Sequence, residues 1–281
     1  MGRAERAAVL TAVLTSFVVT FMGSALNLSV PAMSREFGVR AGTIGWVVTI
    51  YMLAAAALAV PAGKTADRTS RKGVLVIGIV LFGAASIFGV FAGGMVGVVT
   101  ARGAQGVGAA LIFATSQAIL MQECGGERRG KALGYATAAT YTGLAMGPVV
   151  GGILEHWIGW RAIFGMAFLV SAAALWVAVR ALPARRPDRK DAIFGRGAAV
   201  DTFLYIGAMT AFIFGLTEFT RVKAAPYLTA LGVAFGIFFV RRMLRADAPL
   251  LDVRFFVKNR GYAFANLAAL LQYGATYAIS Y

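Results

Sequence analysis

Apolar stretches of about 20 residues recur from one end of this 281-residue chain to the other, and each is long enough to cross a bilayer. In hydrocarbon the backbone must satisfy its own N–H and C=O groups within the segment, so such stretches fold as helices. The spans read as 7–31, 43–63, 73–93, 95–121, 131–154, 161–182, 200–217, 226–244 and 262–281. Composition agrees: 59% of residues are hydrophobic and 14% charged, against about 45–50% and 25% in a soluble domain. The expected fold class is an all-α integral membrane protein. Its first apolar run follows Arg3, Glu5 and Arg6 and outlasts the h-region of a signal peptide, which makes it an uncleaved helix.

The gaps hold the charge. Gly63-Lys64-Thr65-Ala66-Asp67-Arg68-Thr69-Ser70-Arg71-Lys72 carries five charged side chains, four of them cationic, between two apolar runs. Those charges belong in water between two helices. Residues 1–6, 64–72, 122–131, 180–197 and 241–260 hold 21 Lys and Arg, whereas the intervening gaps hold five: Arg35, Arg40, Arg161, Arg221 and Lys223. That bias puts the N-terminus and the Asp67 run in the cytoplasm of a multi-pass protein of the cell membrane. A net charge of +15 spread in this way fits orientation in a lipid bilayer, not a nucleic-acid partner. On charge alone, the Gly63–Lys72 run is either a topogenic cluster or a functional loop.

One basic residue, Arg102, lies inside a span, in Thr100-Ala101-Arg102-Gly103-Ala104-Gln105-Gly106-Val107-Gly108. A cation there costs about 2.5–3.5 kcal/mol on insertion scales. It either snorkels to a headgroup or faces a polar cavity, and Gln105 with the nearby glycines favours the cavity. Gly143, Gly147 and Gly151 recur every four residues along the fifth span, giving one face almost without side chains, and Pro148 sits beside that face. Simple helix packing accounts for most such stripes, while the proline suggests a shaped contact. Ser24 and Asn27 near the end of the first span face another helix. Trp46, Tyr51 and Trp160 read as interfacial anchors, and Asp201 and Glu218 as solvated helix ends. Residues 246–260 mix Phe255 and Phe256 with basic residues and read as an interfacial segment. Cys124 and His156 are each alone in their type, so neither marks a disulfide or a metal site. The spans show no carboxylate pair, His cluster or nucleophile–base set, which argues against an enzyme.

Together these residues resemble the major facilitator superfamily, in particular its fourteen-span drug:proton antiporters. Gly63-x-x-x-Asp67-Arg68-x-x-Arg71-Lys72 is similar to the family's signature between helices 2 and 3. Arg102-x-x-Gln105-Gly106-x-Gly108 resembles its helix 4 motif, and Gly134-(x)8-Gly143-x-x-x-Gly147-Pro148-x-x-Gly151-Gly152 its antiporter motif in helix 5. The segment from Trp46 to Leu53 and Gly159-Trp160-Arg161-x-Ile163-Phe164 are similar to further family patterns. The resemblance is strong over residues 15–182. It implies secondary efflux of a small amphipathic or drug-like compound, driven by inward proton flow and using no cofactor. It assigns Gly63, Asp67, Arg68, Arg71 and Lys72 to a conformational-switch loop. It gives Arg102 a role in proton coupling, and Gln105 and Asn27 complete the candidate coupling or cavity set. Of the antiporter-motif residues Gly134, Gly143, Gly147, Pro148, Gly151 and Gly152, it gives Gly143, Gly147, Pro148 and Gly151 the shaping of the outer closure. The sequence departs from the pattern at Ser70, where a glycine is usual, and at Met22, where many relatives carry an aspartate.

The expected organisation is a six-helix N-terminal half (1–182), a cytoplasmic linker (183–199), two linking helices (200–244) and a cytoplasmic interfacial segment (245–261). Residues 262–281 are expected to be a truncated ninth helix, the incomplete start of a second half. The alternative to a transporter is a non-transporting fragment, or a half that needs a separately encoded partner.

Overall fold

A computed structural model describes residues 2–39, 44–126, 128–185, 197–219, 222–246 and 249–279. In chain order the helices are α1 (Arg3–Phe37), α2 (Trp46–Arg68), α3 (Arg71–Val90), α4 (Met95–Glu123), α5 (Arg128–Trp157) and α6 (Arg161–Ala181). They continue with α7 (Ala198–Thr217), α8 (Ala225–Arg245), the short α9 (Arg254–Lys258) and α10 (Arg260–Ile279). Each long helix overlaps one of the expected spans, with its ends displaced by up to a few residues: Trp46–Arg68 starts and ends later than 43–63, and Arg71–Val90 starts and ends earlier than 73–93. Gly38, at φ +61°, ends α1 in the left-handed region that favours glycine.

Seven of these helices are long and apolar enough to cross a membrane. Helix α5 is long enough, but its many Gly, Ala and Thr residues dilute its apolar character. It nevertheless runs parallel to α1 along most of its length. Thr20 faces Gly143, Ser24 faces Gly147, Ala25 faces Gly151, and Ser29 donates to Glu155 at 2.6 Å. Helix α1 packs on α5 and α6 as α4 packs on α2 and α3, so the adjacency pattern of one helix triplet repeats in the next.

The first correction concerns the Gly63–Lys72 run, expected as a loop. Helix α2 continues through Gly63, Asp67 and Arg68, and α3 begins at Arg71 and Lys72, leaving Thr69 and Ser70 as the turn. Continuing the helix satisfies backbone groups that a longer loop would leave to water. Ser70 accepts a hydrogen bond from Gly73 N at 3.0 Å and so caps α3, which gives the departure from glycine a purpose. Most of the linker expected over 183–199 lies outside the described residues. Further along, Arg254 donates to the carbonyls of Leu244 and Ala246 at 2.8 and 2.9 Å and so closes the C-terminus of α8.

Helices α1–α6 share one core, whereas α7 and α8 pack mainly on each other and touch the bundle through α2. Trp46 meets Phe214 at 5.3 Å between ring centroids, and Tyr205 donates to Ala56 O at 3.2 Å.

Candidate functional site

Arg102 is the largest side chain that the bundle buries completely. Close helix approach puts it there. A Cβ on Gly106 would lie 2.5 Å from Tyr51 O, and one on Gly108 would lie 2.9 Å from Gly78 O, so α4 sits backbone to backbone against α2 and α3. In the pocket so formed, Arg102 Nε donates to Val47 O at 3.0 Å and Nη1 to Gln105 Oε1 at 2.9 Å. Its guanidinium carbon lies 3.9 Å from the centroid of the Tyr51 ring. The network runs on: Gln105 Nε2 donates to Ser86 Oγ at 2.8 Å, and Ser86 Oγ to Phe82 O at 2.7 Å. Tyr51 Oη donates to Val19 O at 2.8 Å and ties in α1. Four helices therefore meet on one buried cation, whose partners among the described residues are all neutral.

Two expectations change here. Arg102 neither snorkels nor lines an open cavity, because neutral acceptors and an aromatic face satisfy it inside the packed bundle. Tyr51 is no interfacial anchor, since its ring lies under the guanidinium and is only 3% exposed. Gln105 belongs to the network as expected. Asn27 does not join it in the described contacts; its Oδ1 is buried without a hydrogen-bond partner among the described residues. Tyr51 and Ser86 are the members that sequence reasoning missed. Tyr51 stood in a quoted family pattern, but Ser86 gave no signal, being one hydroxyl in an apolar run.

The helix 5 motif divides. A Cβ on Gly143 would fall 2.5 Å from Phe17 O, one on Gly147 3.0 Å from Ala25 N, and one on Gly151 3.0 Å from Ala25 Cβ, so these three form the seam with α1. Ser24 Oγ reaches Gly143 O at 3.4 Å across it. Gly134 and Pro148 are exposed, and Gly152 makes only an ordinary contact with Leu28.

At one end of the bundle the basic segments meet. Arg71 pairs with Asp67 at 2.7 Å and reaches Gln122 at 3.4 Å. Lys64 donates to Pro249 O at 2.8 Å, and Lys72 to the carbonyls of Leu182 and Val179. Arg185 pairs with Glu123 at 2.7 Å, and Arg128 with Glu5 at 3.2 Å. Cys124 is buried at this end, and burial, with Glu5 and Glu123 nearby, pushes its thiol up, which keeps it protonated. At the opposite end Glu36 accepts from Trp160 Nε1 at 2.7 Å and pairs with Arg161 at 2.7 Å, while Arg161 also donates to Ala92 O at 3.0 Å. Trp160 is therefore a buried clasp between α1 and α6, not a lipid anchor. Asp201 and Glu218 are buried too, and Asp201 pairs with Arg242 of α8 where solvation was expected.

Similar proteins agree with this architecture. The riboflavin transporter RibZ of Clostridioides difficile is 26% identical over 94% of this chain and 57% of its own length. The cephamycin export protein CmcT of Amycolatopsis lactamdurans is 28% identical over 91% of this chain and 53% of its own. The multidrug resistance protein Stp of Mycobacterium tuberculosis is 28% identical over 99% and 52%. This chain thus spans about half the length of the curated relatives it matches. In fold it is similar to a crystal structure of the peptide transporter POT, with a TM-score of 0.65, 16% identity, and coverage of 88% of this chain and 53% of that one. The pattern of the Major Facilitator Superfamily matches residues 12–281, nearly the whole sequence. This multi-pass, all-helical membrane chain belongs to the major facilitator superfamily.

Proposed function

We propose that this chain supplies one helical bundle of a proton-coupled secondary transporter that exports a small amphipathic or drug-like compound. The observation that carries this reading is the buried Arg102 network. A cation in a span costs about 2.5–3.5 kcal/mol on insertion scales, and this one is held by Val47, Gln105 and the Tyr51 ring with no carboxylate partner among the described residues. Its charge therefore acts on whatever comes near in a low-dielectric interior. Through that interior its charge favours the deprotonated form of an acid brought against the bundle beside the network, on the substrate or on a second bundle, and the acid takes up a proton once it moves away. That is a coupling device. The names of the relatives, which include an export and a multidrug resistance protein, support efflux over uptake.

Alternating access takes two bundles rocking about a midplane site. The α1–α5 glycine seam suits this, because it locks two helices into one rigid body. The Asp67–Arg71 pair and the Lys64 and Lys72 contacts form the inner latch, on the cytoplasmic side with the N-terminus, as the charge bias supports. The test of this reading is accumulation of an amphipathic cationic dye in cells stripped of their own efflux pumps. Expression together with the second bundle is expected to lower accumulation, and collapse of the proton gradient to restore it. Accumulation equal to the vector control, with the protein verified in the membrane, overturns transport.

A further inference from the structure

At the end where the basic residues gather, a cavity of about 480 Å³ opens between the first turns of α1 and the last turns of α6. Its lining is graded by depth. Arg3, Arg6 and Arg180 stand at the helix ends, and Leu10, Trp176 and Val177 lie deeper. Leu10 is four residues inside Arg6, and Trp176 four inside Arg180, so the apolar layer begins about 6 Å below the guanidinium layer. Trp176 is 66% exposed and Leu10 47%, which leaves both open to the surrounding medium.

The three arginines differ from their neighbours. Arg71, Arg128 and Arg185, at the same end of the bundle, each pair with a carboxylate. Among the described residues, Arg3, Arg6 and Arg180 have no such partner, although they converge on one space. Three convergent cations repel one another until an anion enters between them. A free phosphate would answer the arginines and leave the apolar layer unused. A phosphodiester carrying acyl chains answers both: headgroup between the arginines, chains along Leu10 and Trp176, and the indole at the level where tryptophan favours the interface.

We propose that this cavity is a binding site for an anionic phospholipid with a phosphatidylglycerol-type headgroup. The assignment to the cytoplasmic leaflet rests on the orientation proposed above, whereas the site itself rests on the cavity and its lining. Binding here braces the start of α1 against the end of α6.

The test uses the full chain in phosphatidylcholine nanodiscs, with fluorescence of Trp176 defined as the difference between the protein and its W176F variant. Brominated phosphatidylglycerol is expected to quench that component far more than equal brominated phosphatidylcholine. Arg180→Gln should weaken the preference about fivefold, and R3Q, R6Q and R180Q combined should abolish it. Replacing all three by lysine, which keeps the charge, should retain it. Equal quenching by both lipids, a preference that survives in folded R180Q at full strength, or displacement of the brominated lipid by inorganic phosphate would each overturn the proposal. None of these readouts depends on transport, so the lipid site and the transport reading fail separately.

Discussion

Arg102 in the α1–α6 bundle and Arg242 in the α7–α8 pair are both arginines held at helix contacts, and their partners could hardly differ more. Arg102 is wholly buried and bonded to a backbone carbonyl, an amide and an aromatic face, and no carboxylate among the described residues pairs with it. Arg242 sits at the end of α8 with a side chain 38% exposed, and Asp201 neutralises it. The second arrangement fastens two helices. The first holds a cation in the core on neutral acceptors and an aromatic face. Both regions use the same fastening otherwise, glycines that let backbones touch: Gly143, Gly147 and Gly151 against α1, and Gly215 and Gly232 between α7 and α8. The two regions thus share a packing device and differ in their polar chemistry.

The strongest way to break that comparison is to overfill each seam. In Gly147→Val the new Cβ meets Ala25 N at 3.0 Å and Ser24 Cβ at 2.9 Å, and in Gly232→Val it meets Phe212 N at 2.5 Å. Overpacking costs about 1–3 kcal/mol, more where backbone blocks the way. Cys124, the only cysteine and 1% exposed, reports on the bundle through maleimide labelling. G147V should label quickly and lose its monodisperse peak on gel filtration. G232V should label as slowly as the parent, because the pair loosens without opening the core; rapid labelling of G232V would mean that the two regions are one cooperative unit.

A smaller effect sharpens the polar contrast. Tyr51→Phe keeps the ring beneath Arg102 but removes the 2.8 Å bond to Val19 O, at about 1 kcal/mol. Tyr205→Phe removes the longer, 3.2 Å bond to Ala56 O between pair and bundle, and should cost less than half as much. Thermal unfolding in detergent compares the two, and equal losses would contradict the ranking.

Much of this was legible in the sequence. Apolar length fixes where helices lie, because lipid leaves the backbone one solution, and the Gly143–Gly147–Gly151 period marks a seam in any helix. Partners were less legible. Arg102 announced itself by its cost, but a lone arginine does not say whether it meets water, lipid or neutral acceptors, and Ser86 and Tyr51 became visible only once glycines at 78, 106 and 108 had drawn three helices together. Asp201 misled for the same reason: its carboxylate lies near a helix end in sequence, and only the return of α8 brings Arg242 to it. Charge alone makes the Gly63–Lys72 run look like a loop, although helix ends carry charge equally well when they project beyond the apolar layer.

The central claim is that the uncompensated charge of Arg102 does the coupling while the neutralised Arg242 only fastens. Proton-driven efflux tests it most directly, measured in everted membrane vesicles holding the bundle with its second half, for the parent, Arg102→Ala and Asp201→Asn. The expected result is at least about a tenfold loss for R102A, equivalent to about 1.4 kcal/mol, with near-parental efflux for D201N and equal protein in all three membranes. Undiminished, pH-dependent efflux from R102A would contradict the account.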